Sequence, residues 1–286
     1  MRQQALAFLA GPLALLRIAP ARAVFLLFLV FLFTAATQIG GLALWLCVPA
    51  FSRVRQRLAR RGPMLRVSLN AAIFAAVYLA FSLAAIPLAG LAGRAPLPCG
   101  WAGDGTFAPR TILTCLANRH YAALSAKQAL QQVNERVSAE NRGISIAYLD
   151  AGFPFFDGFP MLPHLSHRDG RQIDLALIHD DGAASPSPIG YWGYQSPRPG
   201  DPMPCMGREG WLRWNLEWLQ PLFGSAPLDE SAMRDLFDGL AESTAVERIL
   251  IEPHLRTRLK LDHPKIGFQG CKAARHDDHI HVAFRR

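Results

Sequence analysis

The chain has 286 residues, 51% of them hydrophobic, and a formal charge of +8. That length accommodates one globular domain plus a further segment. The charge would suit a nucleic-acid partner, but its distribution excludes that class: residues 1–98 carry ten Arg and no Lys, Asp or Glu, whereas residues 99–286 carry 20 Lys and Arg against 22 Asp and Glu. Arginines flanking long apolar runs are a topology signal of membrane helices, not a nucleic-acid surface.

The first predicted elements lie in residues 1–98. Residues 5–16 are apolar but too short to span and suit the membrane interface. Two uncharged runs follow, about 23–49 and 67–91. Each exceeds the roughly 20 residues a helix needs to cross a bilayer, which predicts a two-helix transmembrane hairpin. Its linker, Ser52 to Arg66, holds Arg53, Arg55, Arg57, Arg60, Arg61 and Arg66, against Arg2, Arg17 and Arg22 before the first run. The linker is therefore expected in the cytoplasm and both chain ends outside. A signal peptide cleaved after Ala21-Arg22-Ala23 is the competing reading. Gly40-Gly41 could pack against a partner helix.

Gly90 to Pro98 reads as a linker, and residues 99–286 as one α+β domain on a small antiparallel sheet. Its predicted elements are a helix from Ser125 to about Asn141, a strand from Ile144 to Leu149, a second from Gln172 to Ile178, and helices over Trp211–Leu222 and Asp229–Ser243. Strands over Val246–Ile251 and Asp278–Phe284 complete it. Asp180 to Gly207 is a long Pro-, Gly- and Ser-rich loop, a length that tends to be functional. Trp211, Trp214 and Trp218, at helical spacing, read as a core face for at least two of the three, and Trp192 as a candidate groove residue. Cys99, Cys115, Cys205 and Cys271 suit an oxidising compartment, with Cys99–Cys115 and Cys205–Cys271 the favoured pairing and four free thiols the alternative.

The chemistry concentrates in two histidine clusters. The first is His164-Leu-Ser-His167-Arg-Asp-Gly170-Arg-Gln-Ile-Asp174; the second is His276-Asp-Asp-His279-Ile-His281. On a strand, His279 and His281 project to one face. Gly170 permits a tight turn between His167 and Asp174, so a turn and a strand can bring one nitrogen and one carboxylate oxygen together. Three protein ligands with water in the fourth position is the pattern of a catalytic zinc; a structural zinc closes all four. Asp277 reads as a solvated turn residue, with the orienting of a His as the alternative for it and Asp278. His120, His179, His254 and His263 stand alone and are assigned no role.

Ser166-His-Arg-Asp-Gly-Arg-Gln-Ile-Asp174, with His164 ahead of it, and His276-Asp-Asp-His-Ile-His281 together resemble the motifs of the penicillin-insensitive murein endopeptidases. That family belongs to the wider group of lysostaphin-type peptidases, D-Ala-D-Ala peptidases and the hedgehog signalling domain. The resemblance covers roughly residues 99–286 and is specific at the motifs. It implies a single zinc ion bound by His167, Asp174 and His281, with His279 as catalytic base and His276 and His164 assisting. It also implies hydrolysis of peptidoglycan stem-peptide cross-links such as D-Ala to diaminopimelate.

Two features depart from the family pattern, the membrane hairpin and the Pro-rich insertion with Tyr191, Trp192 and Tyr194. With the hairpin, the expected location is the bacterial inner membrane with the domain in the periplasm. No Glu adjoins the motifs, so a glutamate-base mechanism finds no support. Two rival readings remain. One is a D-Ala-D-Ala carboxypeptidase using Arg168 or Arg171 for a free carboxylate. The other is a non-catalytic wall-binding module.

Overall fold

A computed structural model describes residues 20–100, 107–141, 144–180, 187–213, 216–222 and 226–286. The N-terminal segment forms three helices where the apolar runs predicted two: α1 (Pro20–Thr37), α2 (Gly40–Arg57) and α3 (Pro63–Leu88). Two helical segments, Pro20–Thr37 and Pro63–Ala92, are long and apolar enough to cross a membrane. The first run is not one span, because the chain reverses at Gln38, where φ is 65°. Gly40 and Gly41 make the reversal possible. A Cβ on them would stand 2.5 Å from Thr37 Oγ1 and 1.8 Å from Thr34 Oγ1. These glycines therefore pack on α1 of the same chain, the close approach that small residues allow.

The Gln38 side chain fixes the corner against the C-terminal domain. Its Nε2 donates to the Phe155 carbonyl at 2.9 Å, and its Oε1 accepts from the Phe155 N–H at 2.8 Å. Helix α1 thus runs toward the domain, α2 away from it and α3 back. Pro20 and the Arg-rich turn share the end of the bundle remote from the domain. Among the described residues, Pro20 and the domain lie at opposite ends of the helical bundle, unlike the two ends of the expected hairpin, because the chain reverses at Gln38 as well as at the Arg-rich turn.

The domain is α+β. Helix α4 (Ile112–Leu116), α5 (Leu124–Glu140), α6 (Glu230–Glu242) and α7 (Pro253–Arg258) accompany two sheets. A two-stranded sheet pairs β1 (Arg94–Pro96) with β3 (Tyr121–Ala123). The main sheet comprises β2 (Ala108–Pro109), β4 (Ala147–Tyr148), β5 (Gln172–Ala176), β6 (Val246–Leu250), β7 (Ile266–Gly267) and β8 (His279–Phe284), in the order β2-β4-β5-β8-β6-β7. Its centre is antiparallel as expected, but β2–β4 and β6–β7 are parallel. Both parallel pairs are joined by connections that contain helices, which parallel pairing requires.

Helix α6 starts where expected: the Asp229 carboxylate accepts from the N–H groups of Ser231 and Ala232 at 3.1 and 3.0 Å, a standard N-cap. Ser125 does not cap α5, whose N-cap position is Ala123. Over Trp211–Leu222 the described residues show only a 3-10 helix, Glu217–Leu222. Trp211 and Trp218 are exposed (82% and 71%), so neither is a core residue, and Trp214 lies outside the described residues. Disulfides join Cys99 to Cys115 and Cys205 to Cys271.

Strand alternation separates core from site. Ile173 and Leu175 on β5 and Ile280 and Val282 on β8 join Leu130 and Val133 of α5 and Leu236 and Phe237 of α6 in one apolar core. The intervening residues Asp174, His279 and His281 face the other side.

Candidate metal centre

Asp174 and His281 are directly opposite in the β5–β8 ladder, with His279 opposite Ala176. Opposite residues of an antiparallel pair share a face, so the register alone brings this carboxylate and two imidazoles together. His167 arrives from the loop before β5. Gly170 adopts φ +70°, and a Cβ there would stand 2.7 Å from Arg94 Cδ. The buried Arg94 guanidinium donates to the Phe153 carbonyl and to Asp157, both at 2.6 Å. A side chain at 170 would therefore collide with the strap that holds this turn.

The three donor atoms form a small triangle. His167 Nε2 is 3.0 Å from Asp174 Oδ1 and 3.3 Å from His281 Nδ1, and His281 Nδ1 is 2.8 Å from Asp174 Oδ1. Ligand atoms of a tetrahedral zinc at about 2.1 Å lie about 3.4 Å apart, so the triangle matches one ion with little adjustment. His167 Nδ1 lies 2.9 Å from the Ala151 carbonyl, which holds the Nδ1–H tautomer and leaves Nε2 as the ligand atom. His164, His167 and Asp174 also cluster within 4.8 Å. His281 closes the tighter set, its Nδ1 lying 2.8 Å from Asp174 Oδ1 and 3.3 Å from His167 Nε2, whereas His164 Nδ1 lies 3.5 Å from the other oxygen, Asp174 Oδ2.

Around the triangle every predicted site residue is present. His279 Nδ1 is 2.5 Å from Asp278 Oδ1, and its Nε2 is 3.8 Å from Asp174 Oδ2. The His276 ring lies 5.0 Å from that of His279 and 5.7 Å from that of His281, and its buried Nδ1 has no hydrogen-bond partner. His164 lies 5.5 Å from His167 and 6.2 Å from His279, ring to ring.

Three residues were not assigned to the site from sequence. Arg119 donates to both Asp150 oxygens at 2.7 and 2.8 Å, and Asp150 in turn binds His164. Tyr191, from the Pro-rich loop, donates to Asp174 Oδ2 at 2.8 Å and lies 3.3 Å from His164 Nδ1. Asp150 follows a short strand and carries no motif. Tyr191 was visible only as an aromatic in a long loop. Asp277 and Asp278 are not solvated, at 1% and 4% exposure. Asp277 pairs with Arg275, and Asp278 holds His279 while accepting the Trp192 N–H at 2.6 Å.

The electrostatics favour a cation. Burial alone would raise the Asp174 carboxyl, yet the imidazoles of His167 and His279 hold it well below the usual carboxylate range. Burial opposes a charged His279, but Asp278 and Asp174 outweigh it and raise the ring to about 9. Burial drives His276 well below its ordinary value and pushes the Tyr191 hydroxyl well above its own, keeping it a donor. A dication at the triangle would offset the buried carboxylates and return His279 toward a neutral, basic imidazole.

The site opens into a cavity of about 560 Å³ bordered by Leu113, Leu165, Ile189, Trp192 and Leu216. Its guanidinium groups, Arg119 and Arg275, are each paired with carboxylates. Arg168 and Arg171 do not line it. No family model matches this chain, and none of the curated proteins searched matches it.

Proposed function

We propose that the chain is a membrane-anchored zinc peptidase that hydrolyses peptide cross-links of bacterial peptidoglycan, D-Ala to diaminopimelate being the bond the motif resemblance implies. The observation that carries this reading is the donor triangle of His167 Nε2, Asp174 Oδ1 and His281 Nδ1, with all sides under 3.4 Å. A zinc ion held there would supply Lewis acidity and a water that ionises near pH 7.

The protein's own groups supply the rest. His279, held through Nδ1 by Asp278, directs Nε2 toward the open side of Asp174. From there it takes the proton of the attacking water and returns it to the leaving amine. Tyr191 orients Asp174, and the Arg119–Asp150 pair orients His164. His164 and His276 border the cavity, positioned to stabilise an oxyanion. A D-Ala-D-Ala carboxypeptidase is the weaker reading: it needs a cation for a free carboxylate, and the guanidinium groups bordering the cavity are already paired.

The remote end of the bundle carries Arg22 and the Arg53–Arg61 turn, which supports a cytoplasmic placement of that end. The domain then lies at the outer face of the inner membrane, where disulfides persist. Digestion of purified cross-linked muropeptide dimers and of stem pentapeptides, with product masses, tests the function. Monomers from dimers support it; loss of one terminal residue alone assigns the carboxypeptidase.

A further inference from the structure

Helix α4 packs beside α3 at a depth that places it in the bilayer, if the membrane reading above holds. The Tyr78 hydroxyl donates to the Leu116 carbonyl at 2.6 Å, and Asn118 Nδ2 donates to Tyr78 at 2.7 Å and to Ser82 at 3.0 Å. Tyr78 stands in the middle of the apolar run from Val67 to Leu91. Ring contacts from Phe33 to Phe74 (4.8 Å) and from Phe74 to Tyr78 (5.8 Å) set the last turn of α1 level with Tyr78.

Helix lengths fix the depth. The rise from Arg66 to Tyr78 is about 18 Å and that from Arg22 to Gln38 about 24 Å, at about 1.5 Å per residue. A hydrocarbon core is about 30 Å thick. With the arginines at one face, the apolar slab extends roughly 6–12 Å beyond Tyr78 and Gln38. At that level α3 exposes Leu79, Leu83 and Ile86, and α4 exposes Ile112, Leu113 and Leu116 at 55%, 57% and 56%. Phe156, next to the residue clamped by Gln38, is 70% exposed. The segment Thr111–Asn118 has no charged residue, although Arg110 and Arg119 flank it. Disulfide Cys99–Cys115 and Tyr78 both hold α4 in place. Leu113, at the edge of this surface, also borders the cavity, as do Thr114 and Ala117.

The geometry points to a lipid-facing surface, formed by α4 with Phe156 and the outer half of α3, that seats the domain in the outer leaflet and opens the catalytic cavity at headgroup depth. The partner is the bilayer itself. Apolar side chains meet acyl chains there, and the two guanidinium groups bordering the cavity, Arg119 and Arg275, are paired with carboxylates. A cavity so placed takes peptides presented at the membrane surface. This rests on the membrane and peptidase readings proposed above.

Depth-dependent quenching tests it. Full-length protein carrying Cys47→Ala and one of Phe28→Cys, Leu116→Cys or Asp262→Cys is labelled with an environment-sensitive dye. It is then reconstituted in phosphatidylethanolamine–phosphatidylglycerol vesicles. Asp262 precedes β7, at the sheet edge opposite the β2 edge that leads into α4. Nitroxide lipids should remove most of the fluorescence at positions 28 and 116 and little at 262, with aqueous iodide acting in reverse. Lipid quenching at 28 with iodide quenching at 116 overturns the seated surface and leaves the membrane anchor intact. Iodide quenching at both 28 and 116 overturns the membrane reading as well.

Discussion

Asp174 and His281 face each other across one rung of the β5–β8 ladder, with Oδ1 and Nδ1 2.8 Å apart. A shift of one residue in this register would turn His281 into the core and bring Ile280 or Val282 to the site. The apolar residues packed on α5 and α6 hold the register, so the same alternation that builds the core sets the donor triangle.

Tyr191→Phe removes the hydroxyl that donates to Asp174 Oδ2 at 2.8 Å and leaves the ring in place. Loss of such an orienting partner should weaken metal binding about 10–100-fold. Competition with a chelator of known affinity measures it, with circular dichroism showing the fold retained.

Asp150→Ala leaves the Arg119 guanidinium, 16% exposed, without its carboxylate and frees His164. Breaking a buried pair from one side should cost about 3 kcal/mol. Denaturant unfolding reads this cost, and replacing Arg119 as well should recover part of it.

His279→Ala keeps the donor triangle but removes the proposed proton carrier. Cleavage of muropeptide dimers should fall about 10²–10⁴-fold, with zinc content unchanged. Undiminished turnover in this variant removes His279 from its proposed role.

His120 supplies a pH dependence remote from the candidate metal centre. Burial lowers its folded value to about 4, from 6.5 in the unfolded chain. Between these values the unfolded chain binds more protons, so stability is full above the unfolded value and is lost as pH falls toward the folded one. Acidification from pH 7 to 5 should cost about 2 kcal/mol through this residue. His120→Leu should flatten the profile over that interval in unfolding experiments at several pH values.

Much of the site was legible because its spacing is local. His279-Ile-His281 needs only strand alternation, and His167 and Asp174 need only a turn at Gly170. The contributions of Asp150 and Arg119 were not legible, since each reaches the site through contacts far along the chain. The same holds for the Gln38–Phe155 clamp. Gln38-Ile39-Gly40-Gly41 lies in an uncharged run whose composition favours one continuous span, and only the packing of Gly40 and Gly41 on α1 shows the reversal. The tryptophans misled because helical spacing over Trp211–Trp218 predicts a helix that the described residues do not form, so the core face it would create is absent.

The most direct measurement is the zinc content of the purified full-length protein beside that of Asp174→Ala and His281→Ala. A donor triangle built by these residues predicts one zinc per chain in the parent and little in either variant, both folded by circular dichroism. Full zinc occupancy in both variants would contradict it.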